Sequence, residues 1–164
     1  MSLAGLGRLI RRVGRIAEPA PPAPPAEDGF TPPPTLRGSA AVRHVDAGSC
    51  NGCEIELAAA FGPVYDVERY GARLVASPRH ADVVLVTGVV TQNMAQPLRL
   101  TLAATPTPRV VVACGDCALG RGPLLAGYAV VGGAADVVPV DLQVPGCPPE
   151  PAAIVAALRR VTGR

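Results

Sequence analysis

The chain has 164 residues, with 19 prolines, 18 glycines, five cysteines and only 3% aromatic residues. That length is enough for one domain with a real core. A net charge of +2 is too weak to argue for a nucleic-acid partner, and no run of eighteen apolar residues offers a membrane span.

Residues 1–17 carry Leu3, Leu6, Leu9, Ile10, Val13 and Ile16 at spacings of three and four, with Arg8, Arg11, Arg12 and Arg15 on the other side. The pattern predicts a basic amphipathic helix. Such a helix lies on a membrane surface or docks in a partner's groove; the plainer reading is a terminal helix packed on its own domain. Glu18 and a proline run follow Arg11-Arg12, so the pair is not read as a twin-arginine export signal. No secretory signal is expected. An odd cysteine count then argues for a reduced compartment over a disulfide framework. Residues 18–37 hold Pro19, Pro21, Pro22, Pro24, Pro25, Pro32, Pro33 and Pro34 and read as an extended, semi-rigid spacer.

Residues 38–164 read as one compact domain. Ala41–Val45 predicts a strand, Asn51–Phe61 a helix, and Val67–Ala76 a second strand. Asp82–Thr87 is a buried strand by its continuous β-branched run. A helix over Met94–Ala104 is stopped by Pro106 and Pro108, and a strand follows at Arg109–Ala113. Val137–Val140 predicts the last strand. Pro151–Val161 predicts a helix with proline at its start and Gly163 past its end. Strands alternating with helices imply an α/β fold with a small parallel sheet and flanking helices. Functional residues in such sheets gather at the carboxyl ends of strands.

Four of the cysteines fall at such ends. Cys50 and Cys53 form a CxxC turn after the first strand, Cys117 follows a later strand, and Cys147 follows the last. Four thiolates suit one 4Fe–4S cluster. They also suit a structural zinc ion, for which Cys114 and Cys117 would supply a second CxxC. Thiol redox chemistry is the third and weakest alternative. Spacing by itself leaves these open.

The segments Cys50-Asn51-Gly52-Cys53-Glu54-Ile55-Glu56, Thr87-Gly88-Val89-Val90-Thr91 with Met94, Gly115-Asp116-Cys117-Ala118, and Val138-Pro139-Val140-Asp141 leading to Val144-Pro145-Gly146-Cys147-Pro148-Pro149 stand in a fixed order. With them the domain resembles, over about residues 41–162, a family of small iron–sulfur subunits. That family is shared by respiratory complex I (the 20 kDa, or B, subunit) and the energy-converting membrane-bound NiFe hydrogenases. The resemblance implies a flavodoxin-like α/β fold and one 4Fe–4S cluster on Cys50, Cys53, Cys117 and Cys147. Cys114 then falls where the family has an apolar strand-end residue, and reads as a small core side chain. Complex I subunits carry two adjacent cysteines at the first site, so the CxxC followed by Glu-Ile-Glu leans toward the hydrogenase branch. A complex I B-type subunit proper is the alternative. A zinc-binding interaction module is the alternative of another class.

The resemblance also implies partners. These are a large hydrogenase-like or complex-I-like subunit over the cluster face, other iron–sulfur subunits, and membrane ion-translocating subunits. The chain would then be peripheral on the cytoplasmic face of the cell membrane and non-catalytic alone. Glu56 matches a recurring acid near the cluster and is a candidate for tuning or proton relay. Glu54 reads as an ordinary charge in the first turn of a helix. His44 and Asp46 read as a satisfied polar pair at a strand end, and His80 as a surface turn residue.

Overall fold

A computed structural model describes residues 29–164. The amphipathic segment 1–17 and most of the proline tether lie outside the described residues. Beyond them the order is β1 (Ala40–Asp46), α1 (Gly52–Ala60), β2 (Ala72–Leu74), β3 (Val83–Thr87), β4 (Val90–Thr91), α2 (Gln92–Ala104), β5 (Val110–Cys114), β6 (Val130–Gly132), β7 (Leu142–Val144) and α3 (Pro151–Thr162). Five strands form one parallel sheet in the order β2-β1-β3-β5-β7. Counted within that sheet, the order is the flavodoxin-like 2-1-3-4-5.

The valine runs explain the layering. β3 and β5 are buried at every position, as strands covered on both faces must be. Their alternate side chains serve two separate cores. Val42, Val83, Leu85, Val110 and Val112 pack with Leu57 of α1 and with Ile154, Leu158 and Val161 of α3. Val45, Val84, Val86 and Val111 pack with Ala95, Leu98 and Leu102 of α2. Leu36 and Phe30, ahead of residue 38, also pack against the first core.

Register makes the carboxyl edge level. Asp46 pairs with Thr87, Thr87 with Cys114, and Cys114 with Val144. The last residues of four neighbouring strands thus stand in one row. Every loop that leaves this row starts from a strand end whose position its neighbours fix.

Two expected strands come out differently. Over Val67–Ala76 the chain makes a 3₁₀ turn at Val67–Tyr70 before the short β2. Asp66 and Gly71 take positive φ (44° and 88°), and the Arg159 guanidinium stacks on the Tyr70 ring at 4.5 Å. The strand expected at Val137–Val140 begins at Leu142 instead. Pro139 has no N–H to give a ladder, and Asp141 makes the entry by accepting from the Val111 amide at 2.7 Å. A two-stranded antiparallel ribbon of β4 and β6 was not expected from the sequence. α3 matches its predicted bounds to one residue, with Pro151 at its first position and Gly163 at φ 67° just past its end.

Cys114 is fully buried in the first core. Burial pushes its thiol up to about 12, with the nearby charges of Cys53 and Glu54 adding to the effect.

Two outcomes follow from this packing. Ile154→Ala, at a fully buried position, should cost about 2–5 kcal/mol, read from the urea midpoint. The folded chain also binds the Cys114 proton more tightly than the unfolded chain. That contribution is complete below the ordinary thiol value of 9.0 and is lost as pH rises toward about 12. In metal-free protein, Cys114→Ala should therefore soften the alkaline loss of stability in that window.

Candidate metal centre

The site is built on the level edge of the sheet. Leaving β1, the chain turns at Asp46, whose Oδ1 accepts from the amides of Gly48 (2.9 Å) and Ser49 (2.8 Å). Burial works to raise the Asp46 carboxyl, but these two hydrogen bonds win and hold it below its ordinary value. The turn then runs against the loop after β3. A Cβ on Gly88, at φ 76°, would collide with the backbone of Gly48 and Ser49, so that crossing needs glycine. Asn51 sits in the left-handed region at φ 72°, and its amide donates to Ser49 Oγ at 3.1 Å. α1 begins at the next residue, and Cys53 lies in its first turn.

The loops after β5 and β7 are tied to each other. The Asp116 amide donates to the Gly146 carbonyl at 2.8 Å, and Asp116 Oδ1 accepts from the Gly146 amide at 2.9 Å. The Gly115 amide donates to the Val144 carbonyl at 2.8 Å. These bonds hold Cys117 and Cys147 on facing loops. Gly115, at φ 92°, leaves room for a sulfur: a Cβ there would lie 2.5 Å from Cys53 Sγ.

Cys50, Cys53, Cys117 and Cys147 line one cavity of about 140 Å³, with Ser49, Gly52, Gly88, Asp116, Gly146 and Pro148 completing its wall. All four residues expected as ligands are brought together, and Cys114, facing the core, does not line the cavity. Cys53 and Cys117 are buried, whereas Cys50 and Cys147 are exposed.

Burial dominates the electrostatics of the two inward sulfurs. Burial pushes Cys53 up to about 11, with the charges of Glu54, Cys117, Cys50 and Cys147 acting in the same direction. Cys117 is also raised by burial, against a hydrogen bond from the Leu124 backbone. Thiolates on one cavity wall repel one another, so a site that keeps them ionised calls for positive charge between them. The donor set is soft sulfur, which fits an iron–sulfur cluster or a thiophilic metal.

Behind the sulfurs lies a polar chain that the sequence did not reveal. Glu54 accepts from Ser49 Oγ at 2.7 Å and from Thr87 Oγ1, which in turn lies 2.8 Å from His44 Nε2. Glu54 does occupy the first turn of α1, as expected, but its carboxylate faces these partners. Burial lowers His44 from its ordinary value, opposed by the charges of Glu54 and Asp46 and aided by that of Arg43. His44 and Asp46 are both satisfied, though by different partners. Glu56 is half-buried on α1, and no described hydrogen bond or ion pair involves it. His80 is an exposed turn residue. Ser49 and Thr87 left one weak signal, hydroxyls placed next to glycines at two strand ends.

Several known proteins are similar to this chain. A probable membrane-bound hydrogenase subunit of Pyrococcus furiosus is 47% identical over 114 residues, covering 70% of this chain and 68% of its own length. Formate hydrogenlyase subunit 7 of Escherichia coli is 43% identical over 128 residues, covering 78% of this chain; the chain spans half of that relative's length. Among solved structures, a chain of the membrane-bound sulfane sulfur reductase, an archaeal respiratory membrane complex, superposes with a TM-score of 0.68. That match has 29% identity and covers 78% of this chain and 71% of the other. A family model described as the 20 kDa subunit of NADH–ubiquinone oxidoreductase matches residues 50–161, from the first of the four cavity cysteines to the last turn of α3. The chain therefore belongs to the family of the 20 kDa subunit of NADH–ubiquinone oxidoreductase.

Proposed function

We propose that the chain is an electron-transfer subunit holding one 4Fe–4S cluster on Cys50, Cys53, Cys117 and Cys147. It would serve a membrane-associated oxidoreductase complex of the NiFe-hydrogenase or NADH–quinone oxidoreductase type. The observation that carries this reading is the convergence of four thiols from three loops on one cavity, in a chain of this family. When bound, such a cluster takes up and gives back single electrons. The protein's own residues hold the four sulfurs apart on rigid loops and keep water from the buried pair.

Zinc is the weaker reading. A tetrahedral zinc site needs four ligands within about 2.3 Å of one centre. Among the described residues, no three His, Cys, Asp or Glu side chains are placed to hold a single ion. Sulfurs spread around a cavity wall suit the separated corners of a cluster better.

The exposed pair Cys50 and Cys147 supports a large hydrogenase-like or complex-I-like partner over this face. Leu124, 40% exposed and bonded through its backbone to Cys117, adds apolar surface there. Other iron–sulfur subunits and membrane ion-translocating subunits would complete the assembly. Identities of 43% and 47% to a formate hydrogenlyase subunit and a membrane-bound hydrogenase subunit favour the hydrogenase-type assembly. No helix among the described residues is long and apolar enough to cross a membrane. A peripheral position on the cytoplasmic face, anchored through residues 1–17, is part of the same proposal. Glu56 does not line the cavity, and its candidacy for tuning or proton relay rests on the family resemblance.

Anaerobically isolated protein should be brown and hold about four irons and four sulfides per chain. Cys117→Ala should lose most of that iron, while Cys114→Ala keeps it. A colourless protein with one zinc and no iron would sink the reading. In the assembled complex, removing residues 1–17 should move the protein from the membrane pellet to the supernatant; unchanged sedimentation would remove the anchoring role.

A further inference from the structure

We propose that Glu54 is a positioning residue for the metal centre. Its carboxylate clamps the turn bearing Cys50 and Cys53 onto the ends of β1 and β3. The proposal rests on the cluster reading above but concerns this chain's own bonds.

Glu54 stands on the first turn of α1, directly after Cys53. Its Oε2 accepts from Ser49 Oγ at 2.7 Å, and Ser49 directly precedes Cys50. Its Oε1 accepts from Thr87 Oγ1 on the last residue of β3, and His44 Nε2 of β1 lies 3.6 Å from the same oxygen. One side chain therefore reaches three parts of the structure: the residue before the first sulfur, and the ends of two central strands. The helix that carries the second sulfur is its own.

Hydrogen inventory gives the chain a direction. A carboxylate only accepts, so the single hydroxyl hydrogen of Thr87 is spent on Glu54. The 2.8 Å contact between Thr87 Oγ1 and His44 Nε2 is then donated by the imidazole, which fixes the tautomer with hydrogen on Nε2. Ser49 Oγ donates to Glu54 and accepts from the Asn51 amide at 3.1 Å, so the turn conformation of Asn51 is held through the same carboxylate. Thr87 is fully buried, and the side chains of Glu54 and His44 are 17% and 24% exposed. Water competes poorly for these bonds. Groups that orient ligands in this way matter to metal affinity nearly as much as the ligands do.

The test uses the full-length chain loaded anaerobically with iron and sulfide, in the wild type and in Glu54→Ala, Thr87→Val and Thr87→Ser. Two readouts are taken: the rate of iron release to a chelator, and the g-values of the reduced cluster by electron paramagnetic resonance. Glu54→Ala and Thr87→Val should release iron about tenfold faster or more and shift the g-values. Thr87→Ser keeps the hydroxyl and should match the wild type in both. If Glu54→Ala does not fold, the contrast between Thr87→Val and Thr87→Ser decides. Wild-type release and wild-type g-values in the clamp-breaking variants overturn this proposal alone. A wild-type chain that takes up no cluster overturns the cluster reading, and this proposal with it.

Discussion

Gathering Cys50, Cys53, Cys117 and Cys147 around one cavity presses together groups that oppose each other's ionisation. Cys53 shows the effect, pushed up to about 11 by burial and by its neighbours' charges. Once ionised to carry a metal, sulfurs on flexible loops would relax apart, because like charges repel and each thiolate gains by moving toward water. The surrounding structure prevents that. Four strand ends stand level through the register Asp46–Thr87–Cys114–Val144, and each ligand loop is only a few residues long from that base.

The loops are also bonded across to one another. Asp116 closes a two-way link to Gly146, joining the turns of Cys117 and Cys147. Asp46 folds the turn before Cys50 back on its own strand, and the crossing at Gly88 presses that turn against the end of β3. Both acids act through main-chain amides, which fixes backbone position directly. The cavity is thus set by backbone contacts. This is the kind of preorganisation that lowers the entropy lost on binding.

The layered fold was legible because its signals are local. Unbroken runs such as Asp-Val-Val-Leu-Val-Thr read as doubly buried strands, and parallel strands place their following residues on one edge. The position of Cys50, Cys117 and Cys147 after three expected strands was therefore visible, whereas the placing of Cys114 at a strand end came from the family resemblance. The misplaced strands failed for equally physical reasons. Around Val67–Ala76 the stacking of Arg159 on Tyr70 joins residues far apart in sequence, and around Val137–Val140 a single proline moves the ladder on to Leu142. Glu54 looked like a plain helix charge because its partner Thr87 is 33 residues away. No periodicity in the sequence connects the two.

The uneven exposure of the four cysteines bears on direction. Cys53 and Cys117 face inward, and Cys50 and Cys147 outward. On the proposed reading, an electron enters or leaves through the outward pair, because the sheet and its two cores block the other side. A partner closing over that face would dry the outward sulfurs. Burial in low dielectric disfavours added negative charge, so the covered cluster would be harder to reduce than the open one. The same contact that brings a redox partner within reach would then also set the potential at which the electron moves. On that reading an electron-transfer subunit with half its ligands exposed would be completed by its partner, and the exposed apolar Leu124, whose backbone hydrogen-bonds Cys117, marks where that completion would begin.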